Sequence, residues 1–585
     1  MEQTRFDVVI RGGKLVDGTG SAAKQADVGI RDGKVVQIGD LSQASAAQEI
    51  DATGRVVAPG VIDPHTHYDA QIYWDPYCTN SGWHGVTSVV VGNCGFGFSP
   101  CRSDDRLMYM KMMENTEQVP MDAMKTALPW DWESFPEWIA SVKKLKKGIN
   151  LAAFLPLNSL MIWVMGYEAA KSRKATDEER AEMRRLLNEA MDAGAIGFGF
   201  SYLQEFNSHK DVDGSPMITD IMHEEEAINL ALVLKERGEG VIQTLVETGP
   251  DTAVNRELCE KLAEISGRPV LHTVITLDEQ YPDRHREILS WLDEMDAKGL
   301  RIFSQALVFR FMPMAFVVNQ FDGWQQFPLF NEFQHPGDGD TIDARIAKAL
   351  DEDYRERLAA AMSDDLPSFL NVPRMSLVDA AGSERFEKYV GKSFTEIGKA
   401  EGIRPTDAFL DLCAETRLNC EVVPRREEPN VEYATEVNSH PKVLPGTSDG
   451  GAHPKFWAGG QYGTDLISWL VRERKTMTLE QMHHKLSAVP ASALDWQDRG
   501  TIEVGKAADI MVYDLDNIGM ATSTYETVND MPGNEWRRIV RPKGIDWILV
   551  NGVVTFEDNV CTDATPGKLI TLEHDEEVVP AEPAE

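Results

Sequence analysis

Cysteine is scarce in this chain: seven among 585 residues, an odd number and widely scattered. That usage excludes a disulfide framework and fits a reducing cytoplasm. No apolar run approaches the roughly 18 residues of a membrane-spanning helix. The start, Met1-Glu-Gln-Thr-Arg-Phe-Asp7, has neither a basic nor an apolar leader segment, so no signal peptide is expected. Positive charge is also short: 58 Lys and Arg stand against 94 Asp and Glu, a net charge of -36. Such a surface repels phosphate backbones and anionic headgroups, which excludes nucleic acid and membrane as partners and leaves a small-molecule substrate. It allows a homo-oligomer. Part of the acidic excess lies in Glu573–Glu585, where a solvated, disordered tail is expected. Internal repeats are absent too.

What is present suffices for a large core and more than one domain, since 42% of the 585 residues are hydrophobic. Residues 6–60 alternate short β-like runs with glycine turns, among them Asp7-Val-Val-Ile10, Asp27-Val-Gly-Ile30 and Lys34-Val-Val-Gln-Ile38. The same texture returns in Ala508-Asp-Ile-Met-Val-Tyr513 and Trp547-Ile-Leu-Val-Asn-Gly-Val-Val554. The two ends, 1–60 and 495–570, are predicted to pair into one small β-sandwich. Between them, apolar runs alternate with helical patterns, as βα units around a parallel sheet do. Candidate strands are 61–66, 86–92, 150–156, 195–201, 240–246, 269–275, 301–308 and 443–449. Eight is the count of a TIM-like (β/α)8 barrel, an α/β fold. The barrel is predicted over 61–494, with an insertion within about 310–440 and an acidic tail at 571–585. Thr176, three residues before Glu179, predicts the capped start of a helix within Arg173–Gly194.

The chemistry concentrates at strand ends. His65 and His67, in Pro64-His-Thr-His67, follow the apolar run Arg55-Val-Val-Ala-Pro-Gly-Val-Ile-Asp63. Two histidines two apart in an extended segment point the same way, so at the rim of a barrel they can grip one metal ion. Cys94, in Val89-Val-Val-Gly-Asn-Cys-Gly95, follows the second strand; its thiolate can bind or bridge metal, or the residue can be a small buried cysteine. Asp449, in Gly446-Thr-Ser-Asp-Gly-Gly-Ala-His453, closes the eighth strand. A carboxylate there can ligate metal and collect the proton of an activated water, although Asp-Gly is also an ordinary turn. His453 can polarise a substrate carbonyl or cap the turn. His272, on the sixth strand, can supply a third imidazole or be a satisfied core histidine.

Together these segments resemble the amidohydrolase superfamily, and within it the N-acyl-D-amino-acid deacylase (D-aminoacylase) family. The resemblance rests on Pro59-Gly-Val-Ile-Asp-Pro-His-Thr-His-Tyr-Asp69, Gly85-Val-Thr-Ser-Val-Val-Val-Gly-Asn-Cys-Gly95, Gly194-Ala-Ile-Gly-Phe198 and Gly446-Thr-Ser-Asp-Gly-Gly451, and on the returning segments Arg499–Ile510 and Asn551–Val554. It implies a barrel with a composite β-sandwich and zinc hydrolysing an amide. It implies His65 and His67 as the paired ligands, Cys94 in place of the carboxylated lysine used elsewhere in the superfamily, and Asp449 as strand-eight ligand and general base. The chain departs from the family on strand five: Gly240-Val-Ile-Gln-Thr-Leu-Val-Glu247 has no histidine. One Zn2+ is therefore expected rather than two.

The expected reaction is hydrolysis of an N-acyl amino acid or a related amide by metal-activated water. Tyr68, Gln243, Arg310 and Lys455 are candidate substrate contacts, the last two as cations for a substrate carboxylate. Phe309–Phe316, Phe321, Trp324 and Phe327 form an aromatic, Met-rich stripe that is either core or the wall of an apolar pocket; with Tyr68, Trp74 and Trp83 near the histidine motif, the pocket reading suggests a bulky hydrophobic acyl or aromatic group. A lactone, cyclic amide or carbamate is an alternative substrate for the same site. A non-catalytic scaffold that keeps the fold is an alternative of another class.

Overall fold

The computed structural model describes residues 5–572 except 205–208, 248–254, 278–280, 311–313, 322–323, 325–326, 338–340, 364–365, 367–369, 425–427 and 523–524. The acidic tail and Phe311 of the aromatic stripe lie outside the described residues. The chain divides into two compact units, one of 1–311, 429–453 and 459–585, the other of 312–428 and 454–458.

In the first unit both chain ends build one nine-stranded sheet. Front strands Arg5–Leu15, Lys24–Arg31, Lys34–Gly39, Ser45–Asp51 and Val56–Pro59 meet the rear strands where Val57 pairs antiparallel with Val512. The join is held by burial. Val8, Ile10, Val28 and Ile30 from the front pack with Ile510, Val512 and Leu549 from the rear. Each such side chain contributes about 1.5–3 kcal/mol on leaving water, so neither half can keep its apolar face alone.

The middle of this unit is the barrel. Its strands, first to eighth, are Val61–Asp63, Val86–Val91, Asn150–Ala153 continued by Leu155–Pro156, Gly197–Ser201, Val241–Leu245, Val270–Ile275, Ile302–Ala306 and Val443–Pro445. They pair in parallel, and a parallel bridge between Thr66 and Gly450 joins the ends of the first and eighth. Every residue of these strands is buried, which is why they read as continuous apolar runs such as Val86-Thr-Ser-Val-Val-Val91. Ile62, Val90, Ala152, Ile196, Val241, Leu271, Phe303 and Leu444 fill one interior cluster, and Val489, Leu494 and Trp496 pack on it. The packed core leaves the C-terminal strand ends as the place for polar side chains. The helix Asp177–Ala193 starts on a capping box: Glu179 N–H donates to Thr176 Oγ1, and Thr176 N–H to Glu179 Oε2.

The second unit has its own core. Strands Phe316–Val317, Glu421–Val423 and Ser376–Asp379 form a small antiparallel sheet. Phe316 stacks on Phe321 at 4.0 Å between ring centres, and both pack edge-on against Trp324. All three are buried, with Phe330, Phe333 and Phe409 in the same cluster. Phe316, Phe321 and Trp324 of the stripe are thus core rather than pocket wall.

Candidate metal centre

Each rim residue is presented by a turn that its neighbours fix. Gly92 has φ 79°, and a Cβ there would lie 2.4 Å from the Phe154 carbonyl oxygen, so the turn requires glycine. Cys94 itself has φ 56°. Its backbone N–H donates to Gln243 Oε1 at 2.7 Å, while the Asn93 amide donates to the carbonyls of Thr66 and Val90. The Asp449 loop is held from the opposite side of the barrel seam. Ser448 Oγ donates to Asp63 Oδ2 at 2.6 Å, and His67 N–H donates to the Gly450 carbonyl at 2.7 Å.

These turns bring four side-chain donors to one rim. His65 Nε2 lies 3.4 Å from Cys94 Sγ and 3.5 Å from Asp449 Oδ1. His67 Nε2 lies 3.9 Å from the same Asp449 oxygen. Ligand arms of about 2.0–2.3 Å in a tetrahedron put neighbouring donors about 3.3–3.8 Å apart, so the two separations from His65 match a zinc-type site and the His67–Asp449 separation is slightly longer. One ligand atom from each of His65, His67 and Cys94 lies within 4.8 Å of the others.

The second layer sets the tautomer of His65. Gln305 Nε2 donates to the Pro64 carbonyl, which turns Gln305 Oε1 toward the ring. His65 Nδ1–H donates to that oxygen at 2.8 Å, leaving the Nε2 lone pair aimed at the site. Thr273 Oγ1–H donates to the same oxygen and accepts from Gln243 Nε2. Side chains of strands five, six and seven thus form one polar chain from the Cys94 turn to the His65 ring.

Burial lowers the pKa of both His65 and His67 below the usual histidine value, so both rings are neutral near pH 7 and can act as ligands. Burial, with Glu117 and Asp449 adding to it, holds the Cys94 thiol well above its usual value. Burial also raises Asp449, against the pull of His65. A thiol held this way keeps its proton until a cation displaces it.

Two groups at this rim have no marker in the sequence. Glu117 ends helix α1 (Arg106–Glu117) and is 2% exposed, with Oε1 3.8 Å from His67 Nε2 and Oε2 3.7 Å from His453 Nε2. His209 packs edge-on against Phe96, and its Nδ1 is buried without a hydrogen-bond partner among the described residues. Burial, then the charge of His65, lowers His209 to about 4, and burial lowers His453 to about 3.

Several expected site residues are elsewhere. His272 faces the surrounding helices: Nδ1 meets Ser304 Oγ at 2.8 Å, Nε2 meets Glu247 Oε1 at 2.9 Å, and the ring packs against Trp291. Its interior neighbours Leu271 and Thr273 point the other way, so both ring nitrogens are committed outside the metal centre. Gln243 braces the Cys94 turn with one end and Thr273 with the other, rather than facing a substrate. Tyr68 is buried, its hydroxyl 2.8 Å from Ser81 Oγ, and it lies where side chains at Gly450 or Gly451 would collide with it. Arg310 is engaged by Glu473 and Asp465. Lys455 belongs to the 454–458 segment of the second unit.

The family model for the amidohydrolase family matches residues 48–233 and 434–541, together just over half of the chain. An uncharacterized protein of Mycobacterium tuberculosis is 28% identical over 568 residues, covering 90% of this chain and 87% of its own. The N-acyl-D-glutamate deacylase of Alcaligenes xylosoxydans xylosoxydans is 25% identical over 567 residues, covering 95% and 94%. Among solved structures, the N-acyl-D-glutamate deacylase from Bordetella bronchiseptica, complexed with zinc and a phosphonate inhibitor, superposes with a TM-score of 0.64 at 22% identity, covering 97% of this chain and 100% of that one. No helix among the described residues is long and apolar enough to cross a membrane. The barrel, the sheet shared by both ends and the matched segments agree, and the chain belongs to the amidohydrolase family, similar throughout its length to the N-acyl-D-amino-acid deacylases.

Proposed function

We propose that this protein is a zinc-dependent hydrolase that cleaves the amide of an N-acyl amino acid. The observation that carries the reading is the cluster of His65, His67 and Cys94, one ligand atom from each within 4.8 Å of the others, with Asp449 Oδ1 3.5 Å from His65 Nε2. A soft sulfur, neutral imidazoles and a carboxylate suit Zn2+ better than Mg2+ or Ca2+. The likeness to deacylases of N-acyl-D-glutamate and N-acyl-D-aspartate, at 25% and 23% identity, supports the amide and the D-configured amino acid as the first substrates to test.

When bound, the ion supplies Lewis acidity, which favours ionisation of water and polarises an acyl oxygen. The rest of the work falls to side chains. His65 and His67 hold the ion as neutral ligands, with the His65 lone pair oriented by Gln305. Asp449 is partly exposed on the rim and has a raised pKa, so its carboxylate can take a proton from water and return it to the leaving nitrogen. His453 presents a neutral imidazole on the same rim, able to donate one N–H to the acyl oxygen.

The test is a panel of N-acetyl-D-amino acids, their L forms, simple lactones and cyclic amides, assayed with metal-free and zinc-reloaded protein. Zinc-dependent release of a D-amino acid, lost in Asp449→Asn, is the expected result. Faster lactone or cyclic-amide opening would move the assignment to that substrate class. Absence of turnover on every class, with zinc bound, would overturn the hydrolase reading.

A further inference from the structure

The three clustered metal-binding side chains are sealed from solvent: His65 is 1%, His67 2% and Cys94 3% exposed. Neither an ion nor a substrate reaches them until a neighbouring segment moves. One segment that rests on the Cys94 turn starts at His209. Its ring packs edge-on against Phe96 at 5.0 Å between ring centres, and the Phe96 N–H closes the turn by donating to the Asn93 carbonyl at 3.1 Å.

After His209 the chain doubles back. Lys210 pairs antiparallel with Pro216, Asp211 N–H donates to the Ser215 carbonyl at 2.9 Å, and Gly214 N–H donates to the Asp211 carbonyl at 3.0 Å. Gly214 takes φ 80°, which glycine adopts without strain. This hairpin has no apolar anchor of its own. Between Lys210 and Pro216 only Asp211 is buried, and every other residue is half-buried or exposed. An element with so few buried apolar contacts opens at a lower free energy than the buried barrel strands.

One ammonium holds the hairpin instead. Lys171, on the helix Tyr167–Ser172, ion-pairs with Asp211 Oδ2 at 2.8 Å, donates to Ser215 Oγ at 2.6 Å and donates to the Pro216 carbonyl. A lysine has three N–H donors, and the hairpin offers three acceptors. Ser215 Oγ in turn donates to Asp213 Oδ1 at 2.6 Å. A further bond, from Asn115 Nδ2 on helix α1 to the Asp211 carbonyl at 3.0 Å, ties the same residue to the helix that ends in Glu117. Asp211 is 0% exposed, so removing the ammonium leaves a buried charge without its partner and drives the hairpin outward.

We propose that the 210–216 hairpin is a gate on the Cys94 side of the metal centre, and that Lys171 is its latch. The proposal rests on the reading that His65, His67 and Cys94 hold a working ion. Lys171 acts through Asp211 and the hairpin, and so is a positioning residue rather than a catalytic one. With the latch closed, His209 stands against Phe96 and the centre is walled. With it open, solutes reach Cys94.

Alkylation of the metal-free full-length chain by N-ethylmaleimide, followed cysteine by cysteine by peptide mass spectrometry, tests this without any turnover. Cys259 and Cys413 are wholly buried elsewhere in the chain and report global opening. In Lys171→Met, Cys94 should react at least about tenfold faster than in wild type, while Cys259 and Cys413 keep their rates. Ser215→Ala removes one of the three bonds and should speed Cys94 by a smaller factor. In the zinc-loaded chain, transfer of zinc to excess chelator should quicken in the same order. An unchanged Cys94 rate in Lys171→Met would overturn the latch. Equal acceleration of all three cysteines would assign Lys171 to the fold as a whole and also overturn it. Zinc transfer that stays at the wild-type rate while Cys94 labelling rises would overturn the gate. No zinc bound by wild type would overturn the metal reading itself, a failure the labelling of metal-free protein cannot mimic.

Discussion

Replacing Gln305 by Leu tests whether the polar chain behind the metal centre does what its geometry implies. Gln305 Oε1 accepts from both His65 Nδ1 and Thr273 Oγ1, and leucine accepts from neither. Two consequences can be separated. The His65 ring loses the bond that fixes its tautomer, and loss of such a partner costs about 10–100-fold in metal affinity, or about 1.4–2.7 kcal/mol. Two buried donors are also left without their acceptor, at about 1–3 kcal/mol each, less whatever bond Thr273 finds by rotation. The first effect is read by competition for Zn2+ against a chelator of known affinity. The second is read by urea unfolding of the metal-free protein, with the unfolding slope m unchanged. Both values should fall in the variant. A zinc affinity within about twofold of wild type, in a variant whose stability has dropped, would refute the claim that Gln305 orients a ligand and leave it a structural residue only.

Further expectations concern residues away from the ion. His272→Leu should leave zinc content unchanged while lowering stability by about 1–3 kcal/mol, since Glu247 and Ser304 lose a buried partner; loss of zinc would return His272 to the metal centre. His84 is buried, bonded to Thr464 Oγ1 and the Val540 carbonyl, and burial lowers its pKa from 6.5 to about 4. The unfolded chain therefore takes up a proton below pH 6.5 that the folded chain refuses until about 4, so stability falls as pH drops through that window. For this one group the drop approaches about 3 kcal/mol. Stability measured from pH 7 to 4 should fall less steeply in His84→Gln, and an identical slope would contradict the assignment. Tyr68→Phe should leave KM unchanged, because the hydroxyl it removes is engaged by Ser81; a raised KM would make Tyr68 a substrate contact.

The eight barrel strands were legible because each is buried on both faces and so reads as an uninterrupted apolar run. The structure trims them, for example from 443–449 to Val443–Pro445, because the rim turns begin where the pairing ends. His65, His67, Cys94 and Asp449 stand in local motifs, and local motifs survive in sequence. Glu117 does not: it closes an ordinary-looking helix 26 residues after the second strand ends at Val91, and only the fold brings it to His67. His272 shows the opposite failure. In a strand one residue decides the face, and Leu271 and Thr273 own the interior. The aromatic stripe could not be resolved by pattern, since a core and a pocket wall have the same composition; Trp324, wholly buried among phenylalanines, decides for core.

The central claim is that His65 and His67 hold the ion on which turnover depends. Zinc content and hydrolysis of an N-acyl-D-amino acid, measured together on wild type, His65→Ala and His67→Ala, test it most directly. The account predicts at least one zinc per wild-type chain, and in each variant loss of both the metal and the activity. Full zinc occupancy or full turnover in either variant would contradict it.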